Sequence, residues 1–204
     1  MAVITISRSL GSGGRRLGRL LAKRLEYQYV EKSLFQKIAE DLNVSERTLE
    51  SFEKSREYRI SNIFSKLFNK AYIERIVGHD KSVVEEQEYQ TSLKNLILGV
   101  AQEDNVVIVG RAAYFFLKDM ENCYHARLIA SMDSRKKYAV ENLGMPQNRA
   151  QEIIEKSDTN QIWFRRLICG EDFDNPNLFH MTLNMNLIPP KKAVELMVSL
   201  LDRE

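Results

Sequence analysis

Residues 3–25 read "VITISRSLGSGGRRLGRLLAKRL". An apolar, β-branched run of the kind that forms a buried strand passes through "GSGG" into a segment with helical spacing. Strand, glycine-rich turn and helix in that order make a cradle for anions. Successive backbone N–H groups of the turn form a nest, and the helix adds its positive N-terminal end. The usual wording of such a loop is G-x-x-x-x-G-K-[ST]. In that register Arg8 stands at the first glycine, Gly14 at the lysine and Arg15 at the hydroxyl. Cations in a helix's first turn oppose its dipole, at about 0.3–1 kcal/mol each when exposed. Arg15 and Arg16 therefore make sense beside a bound polyphosphate, whose oxygens guanidinium groups clamp bidentately. On this reading Gly11, Ser12, Gly13, Gly14, Arg15 and Arg16 hold phosphate, and the two arginines supply the charge of the missing lysine.

The rest of the chain repeats the strand–helix alternation. Further strand-like runs are "YQYV" (27–30), "NVVIVG" (105–110), "YHARLIAS" (124–131) and "FHMTLNM" (179–185). The last is followed by "PPKKAVELMVSLL", with Ala193, Leu196, Met197 and Leu200 on one helical face and proline just inside the start. Alternation of this kind reads as a five-stranded parallel sheet flanked by helices. Residues 33–103 carry helical patterns and no strand. Ser45, with Thr48 and Glu50, marks a helix start, and Leu93, Leu96, Ile97 and Val100 share a face. We read this stretch as a helical excursion over the carboxyl edge of the sheet, within a single domain spanning 1–204.

Open α/β sheets bind ligands at the carboxyl ends of their strands. The first polar residues past those ends are Arg8, Glu31, Arg111 and Asp133, with Asn184 in the last strand. Composition sets the outer limits. The chain has 204 residues, 44% hydrophobic and 28% charged, with a net charge of +2. That balance argues against nucleic acid and against a basic membrane anchor. No apolar segment reaches the roughly 20 residues needed to span a bilayer, and the N-terminus lacks the order of a signal peptide. Cys123 and Cys169 have no metal-type spacing and read as free thiols of a reducing, cytoplasmic environment. His79, His125 and His180 share no ligand spacing, and Trp163 reads as packing. A dinucleotide fingerprint, G-x-G-x-x-G with an acid further on, fits Gly11, Gly13 and Glu31. It fits poorly at Arg16, where helix–strand packing demands a small residue, and ranks third.

The first block, residues 4–22, resembles the opening of the cytidylate-kinase-like proteins, relatives of bacterial cytidylate kinase among the P-loop nucleoside monophosphate kinases. Val107–Arg111 ("VIVGR"), "LIASMDSR" and the stretch from Asp174 to Asn184 resemble the family's later blocks, in the same order. The resemblance implies a P-loop-type sheet with helical acceptor-binding and lid parts, the lid lying in 133–170. It implies ATP with Mg²⁺ as cofactor and small-molecule nucleotides as partners. It places the ATP phosphates on the glycine loop and makes Arg111 the arginine that holds the acceptor monophosphate. Lys37 and Glu31 become acceptor-binding candidates, Arg135, Asp158 and Arg165 lid residues, and Arg15, Arg16, Arg111 and Arg135 the catalytic cations. Family members carry aspartate after the "GR"; here it is Ala112. Gln161 stands where relatives often have arginine, with Arg165 and Arg166 one turn later.

Phosphoryl transfer needs alignment of donor and acceptor, cations on the transferred oxygens and usually Mg²⁺. The metal ligands are unknown from sequence, with Asp133 or Glu31 acting through water as the candidates. Three functions remain open: a cytidylate-type kinase moving the γ-phosphoryl of ATP to a nucleotide, a nucleotide- or phosphate-binding module that has lost catalysis, and, ranked third, a nicotinamide-binding protein.

Overall fold

The computed structural model describes residues 2–31 and 81–201. The helix start at Ser45 and the acceptor candidate Lys37 lie outside the described residues. Five strands, β1 (Val3–Arg8), β2 (Gln28–Val30), β3 (Val106–Val109), β4 (Cys123–Ile129) and β5 (Met181–Asn184), form one sheet in the order β2-β3-β1-β4-β5. Every pairing is parallel, with Ile6 opposite Val109 and Ala126, and Ile129 opposite Asn184. Each expected strand run overlaps one of them, β1 running on to Arg8 and β4 starting one residue early at Cys123.

The helices are α1 (Gly14–Leu25), α2 (Lys81–Gln102), α3 (Ala113–Phe116), α4 (Met132–Leu143), α5 (Ala150–Cys169) and α6 (Pro190–Val198). Alternate strand residues point to opposite faces, and both faces are covered, so β1 and β3 are buried almost throughout. On one face Ile4, Ile6, Val107, Val109 and Leu128 pack against Leu17 and Leu21 of α1 and Ala193 and Met197 of α6. On the other, Val3, Val106, Ile108 and Cys123 meet Leu93 and Ile97 of α2, Ala113 and Tyr114 of α3, and Phe164 and Ile168 of α5. The described part of the 33–103 stretch thus covers a face of the sheet rather than its carboxyl edge, because the Leu93–Ile97 stripe is buried there. Trp163 packs against this same cluster. Among the described residues, no helix is long and apolar enough to cross a membrane.

Adjacent strands β1 and β3 send their helices to opposite faces, α1 to one and α3 to the other. A sheet that divides its connections in this way opens a crevice at the carboxyl ends of those two strands. Arg8 and Gly110 stand at its two sides.

Candidate active site

The glycine loop is built by two left-handed residues, Gly11 (φ 82°) and Gly13 (φ 79°), the latter capping α1. Ser12 is buried between them. Its amide and its hydroxyl both donate to the Ser9 carbonyl, at 3.2 and 2.8 Å. Ser12 thus tightens the turn from inside. The first helical bond runs from the Leu17 amide to the Gly13 carbonyl, which leaves the amides of Gly14, Arg15 and Arg16 as the orphan donors of the helix end.

Behind the loop stands α4. Its Ser131 cap accepts from the Ser134 amide, and Arg135, in the second turn, is buried. The Arg135 guanidinium donates from Nε to the Leu10 carbonyl at 2.7 Å and makes a bidentate pair with Asp158 of α5, at 2.8 and 2.6 Å. Gly11 lies against the Arg135 backbone, where a Cβ would come within 2.6 Å of the carbonyl oxygen. The two lid candidates Arg135 and Asp158 are therefore joined to each other and to the loop's back, and neither lines the crevice. Asp133 is exposed and paired with Lys136 at 2.9 Å. Arg16 is exposed on the outside of α1.

In front of the loop is a cavity of about 650 Å³. Its walls come from the end of β1 (Ser7, Arg8, Leu10), from Arg15 and Glu31, from the turn after β3 (Gly110, Arg111, Ala112, Tyr114), and from one stripe of α5. That stripe is Ile153, Lys156, Ser157, Asn160, Gln161, Phe164 and Arg165. Five cationic side chains, Arg8, Arg15, Arg111, Lys156 and Arg165, face one carboxylate, Glu31. Such a lining favours an anionic ligand.

The turn that presents Arg111 is strained. Gly110, Arg111 and Ala112 take φ values of 86°, 59° and 53°, the left-handed region in which side chains are disfavoured. Gly110 continues the ladder by donating to the Ile6 carbonyl at 2.9 Å. Glu31 is the electrostatic hub opposite. It accepts from Arg15 Nε at 2.8 Å, Tyr29 Oη at 2.8 Å and Arg8 Nη2 at 3.4 Å. Burial works to raise its pKa, but the bonds from Arg15 and Tyr29 and the charges of Arg15 and Arg8 outweigh it and hold the carboxyl below its ordinary range. The same burial and the Glu31 bond push the Tyr29 hydroxyl far up, so it stays a donor.

Arg165 reaches the cavity from α5, braced on the Phe173 ring at 5.3 Å and facing Asp174 at 3.7 Å. Arg127 holds the same Asp174 oxygen at 2.6 Å. Asp174 of the "DNP" stretch therefore positions an arginine. Arg166 points elsewhere, toward Glu171.

The sequence reading missed Lys156, Ser157, Asn160 and Tyr114 as cavity residues. A polar run at helical spacing between Ile153 and Phe164 was the available signal. As for a metal, among the described residues no group of three His, Cys, Asp or Glu side chains could hold one. Position 15 has no hydroxyl, the Ser12 hydroxyl is turned to the Ser9 carbonyl, and Glu31 already accepts from Arg15, Tyr29 and Arg8. Among the described residues, the side chains do not fit a protein-held Mg²⁺ site.

A family model described as the cytidylate kinase-like family matches residues 3–187. No curated protein matches the chain. Among solved structures, an uncharacterized protein from Eubacterium ventriosum superposes with a TM-score of 0.70 at 18% identity, covering 100% of both chains. Shikimate kinase from Bacteroides thetaiotaomicron gives a TM-score of 0.54 at 14% identity over 99% of each chain. Shikimate kinase from Acinetobacter baumannii, in complex with shikimate, gives 0.51 at 13% identity, covering 98% of this chain and 92% of that one. At these identities the likeness is one of fold, the P-loop kinase fold.

Proposed function

The chain belongs to the cytidylate kinase-like family, and from that premise we propose that it transfers the γ-phosphoryl group of ATP to a small anionic acceptor of nucleoside monophosphate type, with CMP and dCMP the first to test. The observation that carries this reading is the cationic cavity directly beside the glycine loop. A loop that only stored a nucleotide would have no use for a second anion-binding chamber opening onto its phosphates. Donor and acceptor meeting on one rim would.

The division of labour follows from placement. The amides of Gly14, Arg15 and Arg16 receive the donor phosphates. Arg111, across the crevice on its strained turn, holds the acceptor phosphate, with Arg165 and Lys156 closing from α5. Mg²⁺ enters as part of the MgATP substrate. Alignment and fixed cations then supply most of the catalysis.

The test is release of ADP from MgATP with each nucleoside monophosphate in turn. Transfer to a pyrimidine monophosphate is expected. Substitution of Arg111 by alanine should raise the acceptor KM steeply and leave MgATP affinity within about twofold. A second reading, a binding module without catalysis, is favoured by one observation, the glycine at the loop's lysine position. MgATP binding with no turnover on any monophosphate would establish it.

A further inference from the structure

The replacement of the loop lysine has a structural counterpart. A Cβ added at Gly14 would lie 2.6 Å from Arg8 Cγ, 2.8 Å from Arg8 Cβ and 3.3 Å from its Cδ. No side chain fits there, because the stem of Arg8 already runs through the space in which a lysine at position 14 would begin. Gly14 is not required for a left-handed backbone, since it is the first residue of α1 and its φ is not positive. Space alone explains it. Position 8 is the first glycine of the G-x-x-x-x-G-K-[ST] register, so the two departures from that pattern touch each other.

The Arg8 guanidinium continues from that point into the cavity. Its Nη2 lies 3.8 Å from where a Gly110 Cβ would stand and 3.4 Å from Glu31 Oε1. The Glu31 contact is the longest of the three that this carboxylate makes, and it uses a single nitrogen of Arg8. Tyr29 and Arg15 satisfy Glu31 at 2.8 Å each. The remaining N–H groups of Arg8 can therefore turn to an anion without stranding the carboxylate. Arg8 thus runs from Gly14 of the loop to Gly110, the residue before Arg111, along the wall of the cavity that Arg111 also lines.

We propose that Arg8 and Gly14 are a paired exchange: the cation that a P-loop lysine brings to the transferring phosphate from the helix is brought here by Arg8 from the end of β1. This rests on the phosphotransferase reading above and names its donor-side catalytic residue. The electrostatics agree. Burial pulls the Arg8 pKa below its ordinary value, Glu31 opposes that pull and Arg15 adds to it. The positive charge is thus only partly compensated, a condition that a bound phosphate relieves. Arginine in place of lysine also adds bidentate geometry at the cost of reach.

The experiment compares wild type with Arg8→Met, Arg8→Lys and the double variant Arg8→Gly/Gly14→Lys, reading MgATP affinity by calorimetry, kcat and KM by ADP release, and thermal midpoints. Methionine keeps the stem packed over Gly14, so the midpoint should stay close to wild type. kcat should fall about a hundredfold, as on removal of a transition-state donor, and MgATP affinity about tenfold. The double variant, with the lysine returned to the loop, should recover at least a tenth of the lost kcat, which a merely structural role for Arg8 would not allow. Arg8→Met with kcat and MgATP affinity within threefold of wild type, or a double variant no better than Arg8→Met, overturns the exchange while leaving the phosphotransferase intact. A wild type that binds MgATP without turning over still tests the exchange through affinity alone. A wild type that binds no MgATP overturns both readings.

Discussion

Truncation of Asp158 to alanine probes the bracket behind the glycine loop. Arg135 is 8% exposed and bonds through each of its three nitrogens to one of two partners, the Leu10 carbonyl and the Asp158 carboxylate. Removing one member of a buried pair strands the other charge, typically at about 3–5 kcal/mol. Asp158 is 28% exposed, so water can follow into the gap and the lower end applies, about 3 kcal/mol. For a chain of this size that corresponds to a fall in thermal midpoint of about 6–12 °C. The same substitution releases α4 from α5 at the point where Arg135 holds Leu10 and backs Gly11. MgATP affinity should therefore fall although Asp158 lies outside the cavity. Thermal melts of Asp158→Ala, Arg135→Met and the double variant measure the coupling, expected to exceed about 2 kcal/mol. A midpoint within about 2 °C of wild type for Asp158→Ala, with unchanged nucleotide affinity, would refute this account of the bracket.

Three further outcomes are expected. His125 is 2% exposed; its Nδ1 is bonded to Thr5 Oγ1 at 2.9 Å, and its Nε2 lacks a partner in hydrogen-bonding geometry. Burial, then the charge of His180, lower its pKa from 6.5 to about 4, and the Leu117 carbonyl opposes them without prevailing. The unfolded chain thus takes up a proton first, and stability should fall as pH drops from about 6.5 toward about 4, by an amount of order 3 kcal/mol. The stability advantage of wild type over His125→Asn should shrink across that window, and a constant difference would contradict the assignment. Gly11→Ala meets both a φ of 82° and the Arg135 carbonyl at 2.6 Å; it should cost more than about 2 kcal/mol in urea unfolding, and an unchanged midpoint would show that the loop can shift away from α4. Cys123 and Cys169 are buried, and burial pushes both thiols up to about 11; a thiol reagent near neutral pH should label them only as fast as the protein opens, and immediate labelling would contradict that burial.

The two central strands, β1 and β3, were the most legible because they are buried on both faces, with turn residues at their ends. "VITIS" and "NVVIVG" announce themselves, whereas β2 is shorter than "YQYV" since Tyr27 closes the end of α1 by bonding to the Ala22 carbonyl. The glycine loop was legible as a nest. The direction of its arginines was not, because adjacent residues on a helix point about 100° apart and only three-dimensional packing shows Arg15 taken by Glu31. Arg8 was noted at the rim but not joined to Gly14, since a clash between side-chain space at positions six apart across a turn leaves no trace in spacing. Arg135 and Asp158 matched a family pattern for a mobile lid, yet burial and the Leu10 bond give them a bracing role in this structure. The cavity stripe of α5 was obscured because Ser157, Asn160 and Gln161 look like an ordinary solvated helix face.

A crystal structure of the protein with ADP tests the central claim most directly. The account predicts β-phosphate oxygens within about 3.2 Å of the Gly14, Arg15 and Arg16 amides and of the Arg8 guanidinium, with the nucleotide's phosphate chain directed toward Arg111. Ordered ADP whose phosphates lie elsewhere, with Arg8 still turned to Glu31 and the loop amides unengaged, would contradict it.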